Sequence, residues 1–145
     1  MNGTTTGETA YEYLKLTRED GVAVLTLKRP DRLNAWNREM RDEMAAVMRE
    51  IVNEYELRSL VITGEGRGFS TGEDVRGMGA LAGHRDESVP ARGAPHPQRV
   101  RRDRTIEIPV INGVAAGGGL ELALTCDFRI AAESAKLGSR RTTSD

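Results

Sequence analysis

Twice along this chain of 145 residues an apolar run ends in a cluster of glycines. RSLVIT at 58–63 passes into GEGRGFSTG at 64–72, and PVING passes into VAAGGGLELALTCD. Each reads as a short buried strand, a glycine turn and a helix start. At a helix start the backbone N–H groups lack intrahelical acceptors and point out along the positive end of the helix dipole. Such a junction can hold a bound anion, or an oxyanion that forms during a reaction. Glycine permits unusual backbone angles and lets a ligand approach the main chain. The familiar nucleotide versions fail on spacing. Gly64-x-Gly66-x-Gly68 is not G-x-G-x-x-G, and neither turn has the lysine that a P-loop requires.

The remaining pattern places these turns in an α/β framework. Residues 11–17 and 22–27 are strand-like, with Glu19-Asp20-Gly21 as turn chemistry between them. In the second, Val22, Val24 and Leu27 fall to one side and Ala23 and Leu25 to the other. Asn34 is a candidate N-cap for a helix running to about residue 54, whose stripe Trp36, Met40, Met44, Val47 and Ile51 packs a core. Pro109 opens the second buried strand, and residues 128–132 and 135–138 are short strand candidates. The segment 80–98 reads as an exposed loop carrying both histidines, His84 and His96, with no carboxylate or thiol cluster beside them, so no metal site is expected. Three parts follow: a flexible N-terminus at 1–10, a folded unit at 11–138 and an unrelated tail at 139–145.

Composition excludes other classes. An aromatic fraction of 4% is too low for a platform that stacks single-stranded nucleic acid, and a formal net charge of -1 favours neither nucleic acid nor a membrane surface. Cys126 is the only cysteine, in an apolar setting that suits a buried structural thiol. No targeting pattern or membrane-length apolar run is visible, so a cytoplasmic location is the expectation.

Taken together, three segments resemble the enoyl-CoA hydratase/isomerase (crotonase) family. Gly-Phe-Ser-Thr-Gly-Glu-Asp-Val at 68–75 is similar to the family's first turn, G-x-x-F-[small]-x-G-x-D-[L/V/I]. PVINGVAAGGGLELALTCD at 109–127 is similar to its second, and Arg29-Pro30-Asp31-Arg32-Leu33-Asn34-Ala35 to its R-P-x-x-x-N-A entry to the first long helix. The resemblance covers most of 12–138 and implies an incomplete crotonase-like spiral of ββα units, with the family's C-terminal part absent.

It also implies chemistry on an acyl-CoA thioester, with coenzyme A arriving as substrate and no separate cofactor. Two backbone amides, those of Glu73 and Gly118, would stabilise an enolate-like oxyanion. Gly117, Gly118 and Gly119 would keep the turn open, Gly117 and Gly118 also lying against the substrate. The pantetheine arm would run beside Thr71, Glu73, Asp74 and Val75, with Arg32 and Leu33 near the nucleotide end. Glu121 matches the first of a hydratase's two catalytic glutamates. The second is expected in a G-x-P-E context, where this chain has Arg141 instead. Glu73 departs from the usual small residue, a change that bears on the acyl pocket. The resemblance implies a homotrimer or hexamer for a full-length protein. The alternatives are another reaction of the family (isomerase, thioester hydrolase, decarboxylase, carbon–carbon lyase), an inactive acyl-CoA-binding or partner-binding fragment, or a nucleotide-binding module. Without the family's C-terminal part, residues 109–132 are expected to expose apolar surface.

Overall fold

The structure, a computed structural model, describes residues 7–78 and 105–138, with side chains at 11–76 and 105–138. The histidine-bearing loop at 80–98 and the tail with Arg141 lie outside the described residues.

Strand β1 (Gly7–Ala10) pairs antiparallel with β2 (Leu14–Glu19), which corrects the expectation of a flexible 1–10 at its far end. β2 turns into β3 (Val22–Leu27) through Asp20 and Gly21, both at positive φ, a two-residue hairpin that fixes the pairing of Glu19 with Val22. Ala23, Leu25 and Leu27 are the buried face of β3, so Leu27 sits with Ala23 and Leu25 rather than with the valines. A strict period of two puts positions 23, 25 and 27 on one side.

Helix α1 (Arg38–Val52) buries Met40, Met44, Val47 and Ile51, a stripe at helical spacing worth roughly 1.5–3 kcal/mol for each side chain fully removed from water. Its N-cap is Asn37, whose Oδ1 accepts from the Met40 amide at 2.8 Å, and not Asn34. Asn34 lies before the helix at φ 55°, and Trp36 is in extended backbone bridged to Glu73. The apolar stripe runs on through Trp36 because its indole joins the same core, not because the helix does. Arg18 on β2 forks onto Glu50 and Glu54 at the other end of α1, tying helix to sheet.

From α1 onward the chain winds in a repeating way. β4 (Ser59–Gly64) and β5 (Gly68–Ser70) are followed by β6 (Ile106–Ile111) and β7 (Val114–Ala116), then by α2 (Gly118–Thr125), β8 (Ile130–Ala131) and β9 (Leu137–Gly138). Each pair sends one strand to each of two sheets. β4, β6 and β8 extend the larger sheet in the order β1-β2-β3-β4-β6-β8, parallel from β3 onward, while β5, β7 and β9 form a second parallel sheet. This is an α/β spiral whose turns each place one strand in either sheet, as the resemblance implies. β6 begins before Pro109, at Ile106, so that residue lies inside the strand it was expected to open. Cys126 is buried, its Sγ against the Leu122 carbonyl at 3.4 Å; burial first, then nearby Glu107, pushes the thiol up to about 12, so it stays protonated and inert.

At the end of the spiral Leu124, Phe128, Ile130 and Leu137 are each more than half exposed, matching the expected apolar surface at three positions within 109–132 and adding Leu137. No described helix is long and apolar enough to cross a membrane.

Candidate oxyanion and acyl-thioester site

The two glycine turns meet. A Cβ added to Gly72 would lie 2.6 Å from the Gly118 nitrogen and 3.1 Å from that of Gly119. One added to Gly119 would overlap the Ser70 carbonyl oxygen. The first turn of α2 therefore presses backbone to backbone on the 70–72 segment, which no side chain at these positions would allow. Gly117, the residue before the helix, is at φ 51°, a left-handed conformation that suits glycine.

Two amides are left over. The Trp36 amide donates to the Gly72 carbonyl at 2.7 Å and the Asp74 amide to the Trp36 carbonyl at 2.9 Å, a ladder that passes over the Glu73 N–H. Gly118 is the first residue of α2, where the N–H has no intrahelical acceptor. Among the described residues neither the Glu73 nor the Gly118 amide has a hydrogen-bond partner.

The first turn is braced by side chains that the sequence reading did not assign. Asn34 is fully buried; its Oδ1 accepts from the Arg29 amide at 2.8 Å and its Nδ2 donates to the carbonyls of Glu65 and Gly68 at 3.0 and 2.9 Å. Ser70 Oγ donates to the Asn34 carbonyl at 2.9 Å and accepts from the Gly72 amide at 3.1 Å. Asn112 works from the other side, accepting from the Gly64 amide and donating to the carbonyls of Gly66 and Gly68. The signal for such a role was an asparagine beside a glycine turn, since Asn tolerates the left-handed region and its short amide bonds nearby backbone. Only Asn34 was singled out, and as a helix cap.

Two acids on the turn take arginines from the segment before it and the first turn of α1. Arg29 reaches Asp74 at 2.7 Å and also the Ala35 carbonyl; Arg41 reaches Glu73 at 2.7 Å. The Arg29 hydrogen bond, helped by the Arg76 amide, holds the Asp74 carboxyl below its ordinary value.

A cleft of about 450 Å³ opens beside the turn, lined by Arg32, Leu33, Thr71, Glu73, Asp74 and Val75 together with Asp31, Ala35, Arg67, Arg76 and Ala116. It thus brings together six of the residues read from sequence, and adds Arg67 and Arg76. Gly117 and Gly118 do not line it; they follow Ala116, which does. Glu121, on the first turn of α2, is exposed, and among the described residues its carboxylate has no hydrogen-bond or ion-pair partner. Among the described residues no cluster of three or more His, Cys, Asp or Glu could hold a metal ion.

The family model described as enoyl-CoA hydratase/isomerase matches residues 17–143. The chain is 40% identical over 130 residues to the 1,2-epoxyphenylacetyl-CoA isomerase of Escherichia coli, covering 86% of this chain and 49% of that protein. It is 39% identical over 134 residues to the crotonyl-CoA hydratase of Syntrophomonas wolfei, covering 89% and 50%. Among solved structures it is similar to an enoyl-CoA hydratase/isomerase from Mycobacterium paratuberculosis, with a TM-score of 0.74, 29% identity, and coverage of 90% of this chain and 49% of that one. The chain spans about half the length of the curated relatives it matches.

Proposed function

Since the chain belongs to the enoyl-CoA hydratase/isomerase family, we propose that it carries the oxyanion-stabilising half of an acyl-CoA site, and that the reaction served is addition of water to a 2-enoyl-CoA. The observation that carries this reading is the pair of unpartnered amides, Glu73 and Gly118, on two glycine turns pressed together. Water adding to the β carbon of a conjugated thioester drives an electron pair through the α carbon onto the thioester oxygen. Two N–H donors aimed at that oxygen stabilise the enolate more than the ground-state carbonyl, and losing one such donor typically costs ~2.7–4 kcal/mol of transition-state stabilisation. The positive end of α2 adds to the same field.

In this reading Glu121 removes the proton from the attacking water and, once protonated, returns a proton to the α carbon as the enolate collapses. It sits one helical turn after Gly118 on α2, so one element presents both an oxyanion donor and the base. The cleft lined by Arg32, Leu33, Thr71, Asp74 and Val75 takes the pantetheine arm and the nucleotide end of coenzyme A, which enters as part of the substrate with no further cofactor. A water-filled compartment such as the cytoplasm, and a trimer or hexamer of a full-length protein, belong to the same proposal.

Glu121→Gln is expected to lower hydration of crotonyl-CoA by about 10²–10⁴-fold, the usual contribution of a positioned acid–base group. Unchanged turnover would remove Glu121 from the mechanism. A second reading, an isomerase-type reaction that needs one carboxylate, is favoured by Arg141 in place of the second glutamate. It predicts double-bond migration in a 3-enoyl-CoA with no water added. Binding of acyl-CoA without turnover of either ester would instead make this chain an acyl-CoA-binding fragment.

A further inference from the structure

Glu73 sets an electrostatic problem within the reading just given. The residue whose amide is to receive negative charge also carries a carboxylate, which covalent geometry keeps within a few bonds of that amide. A free carboxylate there would oppose the charge that the amide is meant to stabilise, an effect tempered by solvent because the Arg41 and Glu73 side chains are 33% and 31% exposed. The chain has a side chain placed against this. Arg41, in the first turn of α1, meets Glu73 Oε1 through one guanidinium nitrogen at 2.7 Å. Among the described residues that guanidinium makes no other hydrogen bond, whereas Arg29, which pairs with the neighbouring Asp74, also braces the Ala35 carbonyl. Arg29 is thus a strut with a structural task of its own, and the Arg41 guanidinium is committed, among the described residues, to Glu73. The two elements are also held in register, because Trp36, just before α1, pairs with Glu73 through backbone.

We infer that Arg41 is an electrostatic positioning residue for the oxyanion site, its guanidinium drawing aside and neutralising the Glu73 carboxylate so that the Glu73 amide can receive an enolate. The inference rests on the oxyanion reading above. It separates the two parts of Glu73: the amide serves the ligand and the side chain is held out of its way. A purely mechanical role, in which the ion pair only pins α1 to the turn, makes a different prediction. Loss of either partner would then do equal harm, and loss of both would repair nothing.

The test reads binding, so it does not depend on turnover. Acetoacetyl-CoA forms an enolate with its own near-ultraviolet absorbance, and butyryl-CoA presents the same thioester with no charge on its oxygen. Arg41→Ala is expected to reduce the bound enolate signal about tenfold while leaving butyryl-CoA affinity within about twofold. The double variant Arg41→Ala/Glu73→Ala is expected to bring the enolate back to within about twofold of the unsubstituted protein, the signature of coupling in a double-mutant cycle. Arg41→Lys, which keeps the charge, is expected to retain most of the signal. If Arg41→Ala leaves the enolate unchanged, or the double variant stays as weak as the single one, the inference is overturned while acyl-CoA binding stands. If the unsubstituted protein binds neither ester, the acyl-CoA reading fails and takes the inference with it.

Discussion

The two glycine turns reach one place by opposite means. The first, at 64–72, is held by side chains: Asn34, Ser70 and Asn112 take up its carbonyls and amides, and Arg29 and Arg41 take up its acids. The second, at 113–119, is held at its glycines by close backbone contact, since a Cβ at Gly113 or Gly119 would collide with the backbone of Arg67 or Ser70. The first turn adds a scaffold of removable side chains to its own close contact at Gly72, and the second relies on the contact. The contact needs both, because a rigid first turn is what allows the first turn of α2 to press so closely on the 70–72 segment.

The largest break should come at the glycine contact of the second turn. Gly119→Ala places a methyl group on the Ser70 carbonyl, where only backbone movement can relieve the overlap. Overpacking of this kind is expected to cost at least ~3 kcal/mol, seen as a lower urea midpoint, and to abolish acyl-CoA binding because α2 must move away from the first turn. Gly119→Ala with near-native stability would mean that the two turns do not press as described.

A smaller and graded loss is expected from the braced turn. Asn34→Ala takes the side-chain partner from the Arg29 amide and the Glu65 carbonyl and leaves the Gly68 carbonyl to Asn112 alone, costing roughly 2–3 kcal/mol in urea unfolding. Asn34→Gly removes the same bonds but accepts φ 55° freely, and should recover about 1 kcal/mol of that loss. Equal losses for the two variants would show that backbone conformation contributes nothing there.

How much of this could be read in advance follows the same division. Glycines announce themselves, so the second turn and its neighbours Gly117 and Gly118 were legible from spacing. Strands β3 and β4 and helix α1 were legible too, because the strands alternate with period two and α1 keeps its stripe; β5 and β7 were not, since both lie within what reads as glycine turn. The bracing of the first turn was not. NAWN offers two asparagines around one tryptophan, and a stripe beginning at Trp36 favours the earlier as cap; only the pairing of Trp36 with Glu73, 37 positions along the sequence, moves the helix start to Arg38. Likewise nothing local to Glu73 points to Arg41. The strand at Gly7–Ala10 was hidden because small and polar residues carry no period, and its place is set by the antiparallel register with β2. Long-range partners decide these features, and a single sequence does not display them.

The smallest expected effect isolates the charge on the braced turn. Asp74 has its carboxyl lowered from the ordinary 3.8, chiefly by the Arg29 hydrogen bond and then by the Arg76 amide. A carboxyl depressed in the folded state adds stability that is fully present above its unfolded value and is lost as pH falls through its folded value. Asp74→Asn should therefore cost about 1 kcal/mol at neutral pH, in keeping with a partly exposed, charge-assisted pair. That difference should shrink as pH is lowered below 3.8 and vanish once Asp74 is protonated in both states. Urea unfolding of the two proteins across that window checks it. A gap that stays constant down the acid range would assign Asp74 a role in shape alone, and the two turns would then differ in packing but not in charge.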